Sequence, residues 1–414
     1  MEKVLNLFVG SFLLSNLYYL SPIVGLSNSS VIIFLIVTSF FGFVLRFNLS
    51  NFRLLGTKLT YRIVILSFIL FIINSLWNYD IHINDIIRIT CYTFYFCWTI
   101  SIFKNKNSLL KIHLKKLLSL LFFLIVIMSF FEYYFYEIFK LIIDNEFTPY
   151  ASTDGRRLAV TFRDPNSFAF ATISFVYVYI RLEKSPLKIF IALITTILLV
   201  NLSGSRLGLL LFVILFFPLL IKFFKNFNFS KVLLITLLLP TLFFVPISTN
   251  EDSKTDSLVE RINDSEKDGG ASESTNQRLE SIEAGIRASN LSNIFIPPGN
   301  LLFRSKWESV VKARHYPHST FLYMFVEYGI YVIWPLLILL LLYKKAKRVR
   351  TLGLYIILII GLLLLPNLIY DSTTFFIIYY IEHEYSSYTS IINKNMQLKK
   401  NYVNRFISPI QSRG

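Results

Sequence analysis

The sequence predicts an all-α polytopic membrane protein, and three observations support that fold class. Hydrophobic residues make up 54% of the 414 residues, aromatic residues 17% and charged residues only 16%. The mean hydropathy is +0.58, which is well above the value of a soluble globular chain. The apolar residues also gather into runs long enough to cross the ~30 Å hydrocarbon core of a bilayer as helices.

Eleven apolar runs qualify as membrane-spanning helices in the 414-residue chain. They lie near 4–24, 29–47, 61–79, 86–103, 117–136, 165–181, 187–202, 206–222, 231–248, 318–343 and 351–369. A twelfth and weaker run around 371–381 is short and ends in charged residues. We therefore expect eleven or twelve spans.

The cations predict how these spans are oriented. The net charge of +16 comes from Lys and Arg clusters in every second loop, which is typical of cytoplasmic loops. The amino terminus is therefore expected in the cytoplasm, and the basic tail favours twelve spans. Because the cations follow membrane topology, nucleic acid is not expected as a partner.

This topology divides the chain into three parts. Residues 1–248 hold spans one to nine, 249–317 form one large outer loop, and 318–414 hold the last spans and a cytoplasmic tail. Cys91 and Cys97 would lie on separate faces of one helix and cannot bridge each other. No Walker loop, dinucleotide fingerprint or metal-ligand cluster stands out, so neither a cofactor nor a metal is expected.

The informative cations are the arginines that the charge rule places outside. The planar guanidinium donates paired hydrogen bonds to phosphate and stays charged at any working pH. Those arginines are Arg156, Arg157, Arg163, Arg206, Arg278, Arg287, Arg304 and Arg314. Together they predict an outer site for a diphosphate, while any single one is also compatible with solvation or with contact to lipid headgroups.

Arg206 is the strongest of these candidates because it opens the eighth span. Ser203 and Ser205 can cap the start of that helix, where free N–H groups and the helix dipole already favour an anion. Arg206 would add a full positive charge at the same place. The alternative is an interfacial arginine that extends its guanidinium to the surface.

The start of the sixth span repeats this design. Asp164 or Asn166 is expected to cap the helix, while Arg163 pairs with Asp164 or reaches the same ligand. Arg157 lies earlier in the same loop. A purely structural cap is the alternative interpretation of this stretch.

The second half of the large loop has helical spacing. Leu279, Ile282 and Ile286 fall on one side of a helix expected to begin close to Arg278. Arg278 and Arg287 are nine residues apart, about 180° around the axis, so both cannot face one ligand. Arg278 is preferred because it is nearer the predicted helix start.

His318, at the mouth of the tenth span, is the expected proton acceptor, since an imidazole titrates near pH 6.5. Arg314 and His315 precede it directly. On an unbroken helix, His318 and Gly329 would lie about 20° apart around the axis and ~16 Å apart along it. Glu327, about 180° from His318, is a candidate because an intramembrane carboxylate usually has a function. A structural hydrogen bond is the alternative role for the histidine.

Several motifs occur in a fixed order along the second half of the chain. They are Ser203-Gly204-Ser205-Arg206-Leu207-Gly208 at a span start, Asn276-Gln277-Arg278 in the large loop, Pro297-Pro298-Gly299 after it, and His318 followed by Gly329. This order resembles the O-antigen ligase and polymerase superfamily. The stretch Asp164-Pro165-Asn166-Ser167-Phe168-Ala169 is similar to one in the polymerase members.

The resemblance implies a membrane-embedded glycosyltransferase of C-type architecture that is independent of metal and inverts the anomeric carbon. Such enzymes take a glycan from undecaprenyl diphosphate at the periplasmic face of the bacterial inner membrane. Arg206 and Arg278 would bind the diphosphate, and His318 would activate or orient the acceptor hydroxyl. The further substrate-binding candidates are Arg157, Arg163, Asn166, Arg287, Arg314, His315 and Glu327.

Two alternatives stay open beside a polymerase, which passes the glycan to the next lipid-linked repeat unit and would work with a chain-length regulator. A ligase would pass the glycan to lipid A-core instead. A lipid-linked oligosaccharide flippase is the alternative from another class. A transporter should carry ionisable groups along a midplane path and related halves, whereas the unusual cations here gather at the outer end.

Overall fold

The protein is described by a computed structural model that covers residues 108–135, 158–160, 165–224, 270–289 and 319–365, with scattered helical positions elsewhere. These residues are mostly helical, and none of them lies in a β-strand. The helices are α1 Ser108–Tyr134, α2 Pro165–Leu182, α3 Pro186–Leu202, α4 Arg206–Phe224, α5 Gly270–Ala288, α6 Thr320–Tyr328, a 3₁₀ helix Gly329–Val332, α7 Ile333–Arg348 and α8 Leu352–Leu364.

The predicted helices near 117–136, 165–181, 187–202 and 206–222 are therefore confirmed as helices. The predicted span near 351–369 is helical as far as Leu364, and 366–369 lie outside the described residues. The predicted spans near 4–24, 29–47, 86–103 and 231–248, and almost all of 61–79, lie outside the described residues, as do Cys91 and Cys97. The division of the chain at 248 and 317 stays a prediction.

Helix α2 is the centre of the bundle. Every residue from Phe168 to Ile180 is buried, and α2 packs against α1, α3, α4 and α8. Pro165 starts the helix, where its fixed φ and missing N–H are tolerated. At Gly208, a Cβ would lie only 2.6 Å from Ala169 Cβ, so small residues let α4 approach α2 closely. This close contact fixes where α4 begins.

Helix α1 has the faces expected of a membrane helix at the edge of a bundle. Leu114, Leu118 and Ile125 are buried against the core, whereas Phe123, on another face, is 59% exposed. Within the described ranges, one segment is long and apolar enough to cross a membrane by itself, Leu114–Tyr134. Pro186–Leu202, Arg206–Phe216 and Leu352–Leu364 are shorter apolar helices. The count of eleven or twelve spans stays a prediction.

One end of the bundle is held by a buried carboxylate and is called here the Glu183 end. Lys115 Nζ lies 3.0 Å from Glu183 Oε2, which joins α1 to the turn after α2. Arg181 Nη1 donates to the carbonyl of Arg350 at 2.9 Å, which joins α2 to the turn before α8. Lys115, Arg181 and Arg350 come from three different predicted cytoplasmic loops. All three therefore lie at one end of the bundle.

The opposite end holds the start of α4 and is called here the Arg206 end. Lys115 and Glu132 are seventeen residues apart on α1, about 25 Å along its axis, so Glu132 lies at this second end. Thr320 Oγ1 donates to the carbonyl of Leu365 at 2.6 Å, where α8 stops before a proline. The start of α6 therefore also lies at the Arg206 end.

The predicted continuous helix over 318–343 is wrong. Helix α6 begins at Thr320 with Ser319 as its N-cap and stops at Tyr328, and Gly329 has φ 55° and ψ −138°. Four 3₁₀ residues then lead into α7, whose third residue is Pro335. Proline has no N–H for the helical hydrogen bond and its ring clashes with the preceding turn, so a helix is broken before it. Glycine adopts a positive φ such as that of Gly329 without steric cost. The angle of about 20° expected between His318 and Gly329 on one unbroken helix therefore does not apply. Gly329 instead allows the chain to break the helix.

The chain after α8 returns to the Glu183 end. Phe376 stacks edge-on with Phe175 of α2, with ring centroids 5.2 Å apart. Further on, Tyr385 OH accepts a hydrogen bond from Arg348 Nη1 at 3.1 Å. Since Leu365 lies at the Arg206 end, the chain passes from one end of the bundle to the other, as the twelfth predicted span requires. The membrane topology itself stays a prediction.

Candidate anion-binding turn

The residues Leu202–Arg206 form a tight turn between α3 and α4, called here the Arg206 turn. Gly204 ends α3 with φ 57°, a conformation that glycine adopts without steric cost. Ser203 Oγ donates to the carbonyl of Val200 at 2.7 Å and accepts the Ser205 N–H at 3.3 Å. Ser205 Oγ then accepts the Gly208 N–H at 3.0 Å. The predicted cap of α4 is confirmed, with Ser205 as the capping residue.

Asn166 contacts this turn but does not cap its own helix. Helix α2 begins at Pro165, so Asn166 is its second residue and the predicted capping role is wrong for it. Its Oδ1 instead accepts a hydrogen bond from Ser205 Oγ at 2.8 Å. The two stretches that the sequence singled out, before the sixth and the eighth span, are therefore joined by one hydrogen bond between side chains.

A segment before α2 lies against the same turn. The Leu158 N–H donates to the carbonyl of Leu202 at 3.1 Å. The next two N–H groups, of Ala159 and Val160, both donate to the carboxylate of Glu132 near the end of α1. Our reading of the sequence missed Glu132, although a carboxylate inside a predicted span is a signal for function.

Arg206 itself is exposed at the first position of α4. The helix dipole places partial positive charge there, and the guanidinium adds a full charge. Backbone N–H groups and an arginine at one helix start can bind phosphate oxygens. The arrangement can therefore hold an anion at the Arg206 end.

Helix α5 begins earlier than predicted. It starts at Gly270, so Arg278 is its ninth residue and does not open the helix; the Arg278 side chain is outside what the structure describes. Arg287 lies in the last turn and is exposed. Helix α5 packs on α6 through Ser281, Ala284 and Gly285, which are buried. A Cβ at Gly285 would lie 3.2 Å from Leu322 Cδ2, so the contact between the two helices is close.

Glu327 is completely buried in α6, as expected for a carboxylate inside a span. The remaining site candidates, Arg157, Arg163, Arg314, His315 and His318, lie outside the described residues. In the sequence, His318 is two positions before Thr320, where α6 starts at the Arg206 end. Among the described side chains, no group of three or more His, Cys, Asp or Glu could hold a metal ion. The convergence of Arg206, Arg278 and His318 stays a prediction.

A comparison with known families found a match for the part of the chain that contains the Arg206 turn. Residues 191–337 match a family model described as O-antigen ligase. This match, over about a third of the chain, supports the similarity to the O-antigen ligase and polymerase superfamily that the sequence motifs predicted. The chain matches none of the curated proteins with which it was compared.

The superfamily consists of membrane proteins that act as glycosyltransferase-like ligases or polymerases in O-antigen biosynthesis, on lipid-linked polysaccharide. The matched range contains most of α3, the Arg206 turn, α4, α5, α6 and the beginning of α7. Glu132, the 158–160 segment and Asn166 precede it. The O-antigen ligase domain therefore makes hydrogen bonds with a part of the chain outside the matched range.

Proposed function

We propose that the protein is a surface-polysaccharide polymerase that joins undecaprenyl-diphosphate-linked repeat units at the periplasmic face of the bacterial inner membrane. The observation that supports this proposal is the Arg206 turn, a capped helix start with an exposed arginine, inside a domain of the O-antigen ligase family. A lipid diphosphate is the anionic group that such a domain would meet at a membrane surface.

In the proposed reaction, a hydroxyl oxygen of the acceptor sugar attacks the anomeric carbon of the donor glycan from the face opposite the diphosphate. The new glycosidic C–O bond forms as the bond to the diphosphate oxygen breaks, so the anomeric configuration inverts. The hydroxyl proton passes to the imidazole of His318, and undecaprenyl diphosphate leaves with the bonding electron pair. Negative charge therefore grows on the diphosphate in the transition state.

Arg206 and Arg278 are the residues proposed to stabilise that growing charge. Fixed positive groups aimed at the developing charge contribute most when the site need not reorganise during the reaction. The Arg206 turn meets this requirement, because Ser205 Oγ holds both the helix start and Asn166. Arg287, Arg314, His315, Arg157, Arg163 and Glu327 remain proposed substrate contacts.

The orientation follows from the same proposal. The Arg206 end would face the periplasm and the Glu183 end the cytoplasm, where Lys115, Arg181 and Arg350 fit the positive-inside rule. The amino terminus would be cytoplasmic, residues 249–317 periplasmic and the tail after 371–381 cytoplasmic. Labelling of Lys188→Cys and Arg206→Cys by an impermeant maleimide in intact cells tests this, with only the second expected to react.

A ligase is the second candidate, because the family description names that activity. The similarity of the stretch around Asn166 to polymerase members favours the polymerase. A deletion strain separates the two activities. Lipid A-core carrying a single repeat unit indicates a polymerase, and bare core with accumulated lipid-linked polymer indicates a ligase.

A purified protein tests the enzyme against the transporter. The protein in nanodiscs should lengthen lipid-linked repeat units without any ion gradient and without added metal. Absence of elongation by folded protein, with repeat units extracted from the deletion strain, would overturn the polymerase. A chain-length regulator, if it acts on this protein, should change only the distribution of product lengths.

A further inference from the structure

Glu132 is a buried carboxylate that binds backbone rather than another side chain. Its residue is 6% exposed, near the end of α1. Its Oε2 accepts the Val160 N–H at 2.7 Å, and its Oε1 accepts the Ala159 N–H at 3.4 Å. A buried carboxyl group is costly unless hydrogen bonds compensate it, and the 2.7 Å bond is a short one. Both carboxylate oxygens of Glu132 therefore engage one short segment of backbone.

The bound backbone has a conformation that it would not adopt readily by itself. Val160 has φ 51°, which is unusual for any residue other than glycine and most unfavourable for a β-branched one. The N–H of this same residue makes the shorter of the two hydrogen bonds. Glu132 therefore compensates a conformational cost in the segment that it binds.

The segment is also attached to the Arg206 turn. Its first residue, Leu158, donates to the carbonyl of Leu202 at 3.1 Å. In the first turn of α2, Asn166 accepts from Ser205 Oγ at 2.8 Å. The 158–160 segment and the start of α2 therefore both contact the Arg206 turn.

These bonds give Glu132 a role at the proposed site. We propose that Glu132 is a positioning residue that holds the 158–160 segment against the Arg206 turn, so that the helix start proposed to bind the lipid diphosphate keeps its geometry. This role rests on the proposed function, because it assumes that the turn binds a diphosphate. Glu132 would act through the backbone that it binds, so it is a positioning residue and not a catalytic one.

The first test measures the segment directly and needs no enzymatic activity. In full-length protein with Cys91→Ser and Cys97→Ser, Ala159→Cys reports access to the segment by its rate of maleimide labelling. Glu132→Gln keeps the size of the side chain but replaces one of its two acceptor oxygens with an NH₂ group, which cannot accept a hydrogen bond. We expect labelling to rise about tenfold, as the loss of one buried hydrogen bond predicts. Ser129→Ala, buried one turn earlier on α1, is the control and should leave the rate unchanged.

A second substitution separates positioning from simple damage to the fold. Val160→Gly removes the conformational cost at φ 51°, so it should restore most of the protection in the Glu132→Gln background. Glu132→Asp, which keeps the carboxyl group but shortens the side chain, should label at an intermediate rate and replaces Glu132→Gln in the test if that variant does not fold. Unchanged labelling in Glu132→Gln or Glu132→Asp, or an equal rise in Ser129→Ala, would overturn the proposal.

The second test measures the consequence for the anion site. Undecaprenyl diphosphate is the probe, and its Kd is measured with protein in nanodiscs. Glu132→Gln should raise the Kd about tenfold, with recovery in the Val160→Gly double variant. A rise in labelling with an unchanged Kd would overturn the positioning role. If the parent protein does not bind the probe at all, the proposed function fails while the labelling result still shows whether Glu132 holds the segment.

Discussion

Ser205 Oγ donates a hydrogen bond to Asn166 Oδ1 at 2.8 Å and also accepts the Gly208 N–H at 3.0 Å. One hydroxyl therefore caps α4 and joins it to the first turn of α2, 39 residues earlier in the chain. The position of Arg206, next to Ser205, depends on both bonds. The geometry of the proposed anion site can thus be tested through residues that carry no charge.

Removing the Ser205 hydroxyl should weaken both the fold and the proposed site. Ser205→Ala loses an N-cap, which costs about 1 kcal/mol, together with the bond to Asn166. We expect a lower Tm in detergent and shorter polysaccharide in the complemented deletion strain. Asn166→Ala should shorten the polysaccharide with a smaller change in Tm, because it leaves the cap intact.

Ser174→Ala is the matched control for this pair. Ser174 is buried in α2, and its hydroxyl bonds only the carbonyl of Phe170 one turn earlier among the contacts described. Such a bond within one helix adds little stability. Equal losses of polysaccharide length in Ser174→Ala and Ser205→Ala would contradict a specific role of the Arg206 turn.

The contact between α2 and α4 predicts a compensating pair of substitutions. Gly208→Ala would place a Cβ 2.6 Å from Ala169 Cβ, so α4 must move away from α2. Overpacking of this kind costs about 1–3 kcal/mol, and we expect less folded protein in the membrane. Ala169→Gly in the same chain removes the clash and should restore part of the yield. Recovery is incomplete because Val200 Cγ1, at 3.1 Å, also crowds the added methyl group.

Glu183 is held in its charged form at the opposite end of the bundle. Its carboxylate accepts the N–H groups of Ser185 at 3.0 Å and Lys184 at 2.8 Å, and Lys115 Nζ and Tyr179 OH lie at 3.0 and 3.2 Å. The Ser185 hydrogen bond is the largest cause that lowers the pKa of Glu183, from 4.5 to about 2, against the opposing effect of burial. The pKa in the folded state is below that in the unfolded state. This carboxylate therefore stabilises the fold fully above about pH 4.5, and the contribution is lost as the pH falls towards about 2.

Glu183→Gln should remove this dependence on pH. Thermal unfolding of the purified protein, followed between about pH 6 and about pH 3, should show a Tm difference between parent and variant that shrinks as the medium becomes more acidic. Glu280→Gln, at an exposed position of α5, is the control. A Tm difference that stays constant over this range would contradict the charged state assigned to Glu183.

The sequence predicted helices well where apolar length alone decides them, as in α2, α3 and α4. It failed where one glycine and one proline act together. Gly329 and Pro335 both lie inside the apolar run 318–343, and hydropathy does not register the break that they cause. A search for glycine a few residues before proline would have found it.

Burial was harder to predict than helical structure, because in a membrane protein apolar residues need not be buried by protein. On α5, Leu279 and Ile286 are 52% and 60% exposed, while Ser281 and Ala284 are buried against α6. Small residues such as Gly285 let α5 approach α6 closely, so the face of α5 that packs on α6 is not its apolar one. Glu132 and its bonds to the 158–160 segment join parts of the chain that no local pattern relates.

The most direct test of the proposed chemistry is the rate at which purified protein in nanodiscs elongates lipid-linked repeat units when Arg206 is changed. Arg206 is exposed, and the Tm of Arg206→Ala is measured beside the rate, so that a loss of stability is distinguished from a loss of catalysis. We predict a fall in kcat/KM of about 10²–10³-fold, as for the loss of one preorganised charge-stabilising group, with Arg206→Lys in between. Lys188→Ala, an exposed cation at the Glu183 end, should elongate at the parent rate. An Arg206→Ala protein that elongates as fast as the parent would contradict the role of the Arg206 turn in binding the leaving diphosphate.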